Sequence, residues 1–262
     1  MMLALSLFLL GAMNTYAQAE AAFTVVPTED GSGVVITGYN GRTGRTARVI
    51  IPSTIQGMPV REIGNWRLPE GTNYEPFAGN RGITSVVIPN GVTLIGAGAF
   101  SSCQSLSQVT IPESVTRIGS NAFFGCSSLR SITLPDSITE MGEDGYGYVF
   151  SHSGLASITL PGNLREIRPG TFQNCRNLTS VIISEGVEII DQGAFEGCTA
   201  LASVTLPSTI RLIRDRAFYG CTALTTITIP NSAESIVFES DSFGNCPGLT
   251  SETQAALRRV GY

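Results

Sequence analysis

Charge, histidine and long apolar runs are all scarce in this chain. Acidic and basic residues make up 14% of its 262 positions and leave a net charge of -5, with no basic stripe. A nucleic-acid partner demands such a stripe, and an anionic membrane finds nothing electrostatic to hold. Beyond the amino-terminal segment, no stretch is long and apolar enough to span a bilayer. His152 is the only histidine, and its neighbours Ser151 and Ser153 do not make a triad, whose members meet in space and not in sequence. Acidic residues are scattered, so no paired-carboxylate signature stands out. An enzyme needs a nucleophile, a base and a group to orient them. The sequence therefore assigns no catalytic residue, and a hydrolase is the remote alternative. Glu143 and Asp144 lack the surrounding pattern of a calcium loop. No metal ligand and no cofactor is assigned either.

What the chain has in abundance is itself. The stretch Leu106 to Ser128, LSQVTIPESVTRIGSNAFFGCSS, is copied from starts at Ile83, Leu129, Leu155, Leu178, Leu201 and Leu224, and five of the six steps between starts are 23 residues long. Self-similarity at that period is the signature of a leucine-rich-repeat solenoid. Each copy opens with an L-x-x-Φ-x-Φ run, as in Leu106, Val109 and Ile111 or Leu201, Val204 and Leu206. These β-branched runs predict short strands stacked in a parallel ladder, about 4.8 Å per repeat. Proline follows at Pro89, Pro112, Pro135, Pro161, Pro207 and Pro230, where it ends the strand. Only Ser184 breaks that column. A second apolar pair, Val115 and Ile118 in the first-named copy, lines the next wall.

Each unit closes with Ala-Phe, as at Ala99-Phe100, Ala122-Phe123, Ala194-Phe195 and Ala217-Phe218, with Thr171-Phe172 and Ser242-Phe243 as variants. A column of such rings, each burying about 150–250 Å², supplies the main hydrophobic contribution. Three residues after each of these Phe positions stands Cys: Cys103, Cys126, Cys175, Cys198, Cys221 and Cys246, which are all the cysteines of the chain. Equivalent positions of a solenoid carry parallel Cβ vectors, a poor match to disulfide geometry. Buried reduced thiols are expected over bridges, and a line of single ligands does not make a tetrahedral metal site.

These residues resemble the bacterial BspA-like, or Treponema-type, leucine-rich repeats, whose unit reads L-x-x-Φ-x-Φ-P-x-x-Φ-x-x-I-G-x-x-A-F-x-x-C. Arg168, Asp191, Arg214 and Val237 depart from the Gly after Ile, and Ser184 from Pro. The resemblance implies a secreted or surface-displayed bacterial protein of a family associated with adhesion and recognition. It implies no catalytic residue.

The domain reading places a signal peptide at 1–19, an amino-terminal β cap at 20–46, the solenoid at 47–250 and a capping helix at 251–262. The solenoid comprises a degenerate first repeat and then about seven repeats of 23–26 residues. Ala17-Gln18-Ala19 fits a small-residue cleavage pattern. In the cap, FTVV and GVVITGY read as two strands. In the tail, Ser251 is placed as the helix cap and Ala255, Leu257 and Val260 as the side chains that shield the last coil.

Two surfaces are open to a partner. The strand face, expected to be concave, carries Thr110, Thr133, Thr159, Thr205 and Thr228 beside Ser107, Ser131, Ser157, Ser180, Ser203 and Thr226. Two insertions, Asn65 to Pro76 and Glu143 to Val149, fall at the same point of coils three repeats apart, so they emerge on one side roughly 14 Å from each other. Trp66, Tyr74, Tyr146 and Tyr148 on them are the candidate partner-binding residues, since exposed Trp and Tyr anchor recognition surfaces. The reading is a monomeric binding module for a protein or glycan, extracellular matrix included, located outside the cell, at its surface or in the periplasm. The alternative is a structural envelope component with no dedicated ligand.

Overall fold

The computed structural model describes residues 20–41, 47–64, 74–143, 147–230 and 236–262. It is a parallel β-solenoid whose coils have three sides. On the first wall the period-two pattern acts as expected: in Ser203–Thr205 the Val204 side chain is buried and its two neighbours are exposed. On the second wall the other apolar pair makes two-residue strands such as Arg117–Ile118, Ile189–Ile190 and Leu212–Ile213. Ile118, Ile190 and Ile213 are fully buried there.

The third side is a series of turns around Phe. From the coil of Phe100 to that of Phe243, two positions in each coil, two residues before and two residues after the Phe, take left-handed backbone. Glycine fills many of them, but Tyr148, Arg216 and Asp241 occupy the first and Ser102, His152 and Asn174 the second. A side chain there costs about 1–2 kcal/mol relative to glycine. The repeat tolerates this because the turn is fixed by main-chain hydrogen bonds to the next coil, such as Phe150 N to Thr171 O at 2.9 Å and Phe172 N to Ala194 O at 2.7 Å.

The rings of Phe77, Phe100, Phe123, Phe150, Phe172, Phe195, Phe218 and Phe243 form one stack, with neighbouring centroids 4.9 to 5.6 Å apart and planes within 13°. Edge-on rings close both ends: Phe23 meets Phe77 at 71° and Tyr262 meets Phe243 at 82°. All six cysteines are free and buried. Each thiol donates to the main-chain oxygen of the Phe one coil earlier, at 3.0 to 3.2 Å. Burial pushes the Cys103 and Cys175 thiols up to about 11 and the Cys198 thiol well above its ordinary value. Two coils lack the cysteine: that of Phe77 has Asn80 in its place, and that of Phe150 has Ser153, its hydroxyl 3.3 Å from Cys175 Sγ.

The ladders are not continuous. The first wall splits into a three-stranded sheet ending at Gln108–Thr110 and a four-stranded sheet beginning at Ser157–Thr159. The intervening run Leu129 to Leu134 is not a strand, although Ala156 N still reaches Arg130 O at 2.9 Å. The second wall splits between Glu140–Met141 and Glu166–Ile167. On the Phe side, by contrast, the hydrogen bonds cross the same coil intact: Asn121, Phe123 and Gly125 donate to Gly147, Val149 and Ser151, and Tyr148, Phe150 and His152 donate to Pro169, Thr171 and Gln173.

The amino-terminal cap is a hairpin of Phe23–Pro27 and Val34–Tyr39, whose second strand joins the second wall in parallel register with Met58–Ile63. The extra residues of the first repeat form a tight turn at Gln56 and Gly57, with φ of 54° and 76°, the backbone that two-residue hairpins require. Ser184 replaces proline at little cost because its hydroxyl donates to Leu160 O. Two sequence expectations are corrected. The terminal helix spans Ser251–Arg259 and is capped by Thr250, not Ser251, because Thr250 is still extended at φ -65° and its side chain accepts from Thr253 N. The inward stripe is Thr253, Leu257 and Val260, while Ala255 is exposed and lies off the helical period. In addition, Ile213 pairs with Phe238, which puts Glu239, not Val237, in the Gly column.

Candidate functional site

The outward row of the second first-wall sheet runs Thr159, Ile182, Thr205, Thr228, held in register by parallel pairing. Threonine fits the row because a β-branched hydroxyl suits a half-solvated sheet. Ile182 does not share that logic: it is 61% exposed between two threonines. Other hydroxyls near this face act within the protein. Ser107, Thr179 and Thr225 each donate to a main-chain oxygen of the preceding coil at 3.0 to 3.1 Å.

Of the four insertion aromatics, Trp66 and Tyr146 lie outside the described residues. Tyr74 is half-buried, and its main-chain oxygen covers Gly64. Tyr148 is also half-buried, with φ of 54°. Its ring lies against Gly170 of the next coil, where a side chain would collide with it. His152 is exposed, packs edge-on to Phe124 at 5.4 Å and sits 3.5 Å from the Asn174 amide. The serines beside it are committed elsewhere, Ser151 to Gln173 O at 3.0 Å and Ser153 to Cys175.

The sequence reading missed the second wall from Glu166 onward. Three outward rows run along it. The middle row is Glu166, Ile189, Leu212, Val237, in cross-strand register. Ile189 and Leu212 are half-buried, and Val237 is 60% exposed. On one side lie Arg165, Glu188 and Arg211, with Arg165 bonded to Glu188 at 3.0 Å. On the other lie Arg168, Asp191, Arg214 and Glu239, the residues of the lost Gly column. Arg214 joins Asp191 at 3.2 Å and Glu239 at 3.1 Å, and Arg168 lies 3.5 Å from Glu166. Burial, then a hydrogen bond shared with Asp191, raises the Glu166 carboxyl above the ordinary range. The signal was present in the departures from Gly. Residues some 23 positions apart reveal their alternation of charge only when stacked.

Two shallow recesses flank this wall. One, of about 440 Å³, borders Glu140, Arg165, Glu166 and Arg168. The other, of about 500 Å³, lies between the cap turn and Arg61. There the Ser32 N–H and the Thr28 hydroxyl hold the Asp30 carboxyl down to about 2.

The repeat geometry matches known proteins. A family model described as BspA type leucine-rich repeat region matches residues 72–146 and 146–250, in six copies. The crystal structure of a leucine-rich repeat protein from Treponema pallidum is similar over 92% of this chain and 94% of its own, at 28% identity and a TM-score of 0.66. One from Bacteroides ovatus is similar over 84% of this chain at 29% identity and a TM-score of 0.70, and the match covers 54% of that protein. One from Eubacterium ventriosum, 24% identical over 78% of this chain and 59% of its own with a TM-score of 0.59, shares the fold. No curated protein sequence matches the chain.

Proposed function

Because the chain belongs to the BspA-type leucine-rich-repeat family, we propose that it is a secreted or surface-displayed module that binds a protein, with Ile182 at the centre of the contact. The observation that carries this reading is that one large apolar side chain, 61% exposed, stands in the middle of a regular hydroxyl-bearing sheet. Recognition surfaces concentrate their energy in such anchors and surround them with neutral contacts. Residues 1–19 act as the export signal, and Glu20 begins the mature chain. Trp66, Tyr74, Tyr146 and Tyr148 are the second set of candidate contacts, on the insertion side; the packing of Tyr148 on Gly170 favours the sheet over them.

The test is binding of residues 20–262 to a panel of extracellular-matrix proteins and glycans. Ile182→Thr supplies the residue that the adjoining coils carry, so the fold is kept. Loss of a protein ligand in Ile182→Thr, with binding retained in Trp66→Ala/Tyr146→Ala, supports the reading. The reverse pattern moves recognition to the insertions. Retention of a bound glycan by both variants, or no binding to the panel by the parent chain, counts against it and favours a structural envelope role.

A further inference from the structure

The rows on the second wall carry a pattern that goes beyond the ion pairs of a single chain. At three of the four coils the two flanking rows have the same sign, Arg165 with Arg168, Glu188 with Asp191, Arg211 with Arg214, and at the fourth Glu239 stands opposite Ile236. From coil to coil the sign alternates. Between the rows runs the aliphatic ridge Ile189–Leu212, with Val237 beyond it. A ridge with polar margins is the anatomy of an interface centre and its rim.

We propose that this face is where a second copy of the chain docks, antiparallel, about a two-fold axis passing between the coils of Ile189 and Leu212. The sign pattern selects that arrangement. If the rows of two copies ran in the same direction, coils of equal sign would meet and repel. If the copies were antiparallel with the axis through a coil, Asp191 would face Asp191, or Arg214 would face Arg214. With the axis between the two coils, Asp191 faces the partner's Arg214, Glu188 faces the partner's Arg211, and Arg168 faces the partner's Glu239. Ile189 then closes on the partner's Leu212, and the converse contacts follow by symmetry, as an isologous interface requires. Glu166 faces the partner's Val237 at each end of the contact, on its margin. The intrachain pairs are retained, so Arg214 gains a further carboxylate beside its own Asp191 and Glu239, and Arg168 one beside its own Glu140 and Glu166. All 16 basic residues of the chain are arginine, whose planar fork of donors serves two acceptors at once. Four coils span about 15 Å, so the contact lies at the small end of the range for protein pairs and is weak. It leaves the Ile182 row uncovered on each copy, and a dimer would bind a repetitive or dense ligand with added avidity.

Sedimentation of residues 20–262 from micromolar to millimolar concentration tests this. The parent chain shows a monomer–dimer equilibrium that weakens as salt is raised. Asp191→Arg and Arg214→Asp each weaken self-association at least tenfold. Mixing the two single variants restores it, because like-charge homodimers are replaced by a complementary heterodimer. The double variant Asp191→Arg/Arg214→Asp self-associates as the parent does. Leu212→Ser abolishes dimerisation without a change in the circular dichroism spectrum. A parent chain that stays monomeric at millimolar concentration overturns the proposal. So does self-association that is indifferent to the single variants, or a mixture of them that does not associate.

Discussion

Cys198 donates its thiol proton to the main-chain oxygen of Phe172, 3.1 Å away in the preceding coil. The same bond recurs for every cysteine, so the thiols are hydrogen-bond donors that fit a dry column. The consequence is a pH dependence of known sign. Below the ordinary thiol value of 9.0 both the folded and unfolded chains keep the proton. Above it the unfolded chain ionises while the buried thiols, raised by burial and to about 11 at Cys103 and Cys175, resist ionisation. Each thiol then lowers stability by about 1.4 kcal/mol per pH unit. Urea midpoints should be flat from pH 7 to 8.5 and fall steeply from pH 9 to 10.5, with a shallower fall in Cys198→Ala. A flat profile throughout would contradict the assignment.

The ring stack sets a second expectation. Phe172 is fully buried between Phe150 and Phe195, so Phe172→Ala removes both ring contacts and leaves a cavity. It should cost about 3–5 kcal/mol in equilibrium unfolding. Ile182→Thr, on the exposed row, should stay within about 0.5 kcal/mol. An equal effect of the two would mean that the stack is not the core.

Tyr148 and Gly170 should be coupled. Gly170 has φ of 61°, and the Tyr148 ring occupies the space where its side chain would stand. Gly170→Ala is therefore strained in backbone and blocked by the ring. In a Tyr148→Gly background the block is gone and only the strain, about 1–2 kcal/mol, remains. A double-mutant cycle on thermal unfolding should give a coupling above about 0.5 kcal/mol, and additive single effects would refute the contact.

Glu166 supplies the acid-side test. Its carboxyl is raised above the ordinary 4.5 by burial and by the hydrogen bond with Asp191. A raised carboxyl contributes stability below its ordinary value and loses that contribution as pH rises through its folded one. Glu166→Gln keeps an uncharged hydrogen-bonding group, so the melting temperature of the variant relative to the parent should increase from pH 4 to pH 7. A difference that shrinks over that interval would show that the Arg168 pairing dominates instead.

The parts of the fold legible in sequence were those in which one residue type fills one column: the Phe stack, the thiols, and the alternation of Val204 and Leu206 with Ser203 and Thr205. Each depends on an inward position that tolerates few side chains. The left-handed turns were hidden because Tyr148, His152 and Arg216 occupy places where glycine would have announced them. The helix cap was misplaced by one residue because Thr250 and Ser251 are both good caps, and only the ladder bond from Thr250 N to Thr225 O keeps the first extended. The charge rows were hidden for a different reason. Arg214 and Asp191 are neighbours through stacking alone, and the breaks in the walls depend on how coils sit on one another, which no single copy of the repeat encodes.

The uninterrupted hydrogen bonds beside the Phe stack give the molecule a mechanical asymmetry. Considered as a beam, it is continuous along one edge and notched on the other two faces near the coil of Leu129 to Phe150. Bending that opens the notches breaks few main-chain bonds, among them Ala156 N to Arg130 O, whereas stretching the Phe edge must break several in every coil. Elastic compliance is therefore concentrated at one joint and has a direction, with two stiff arms that flex around an inextensible spine.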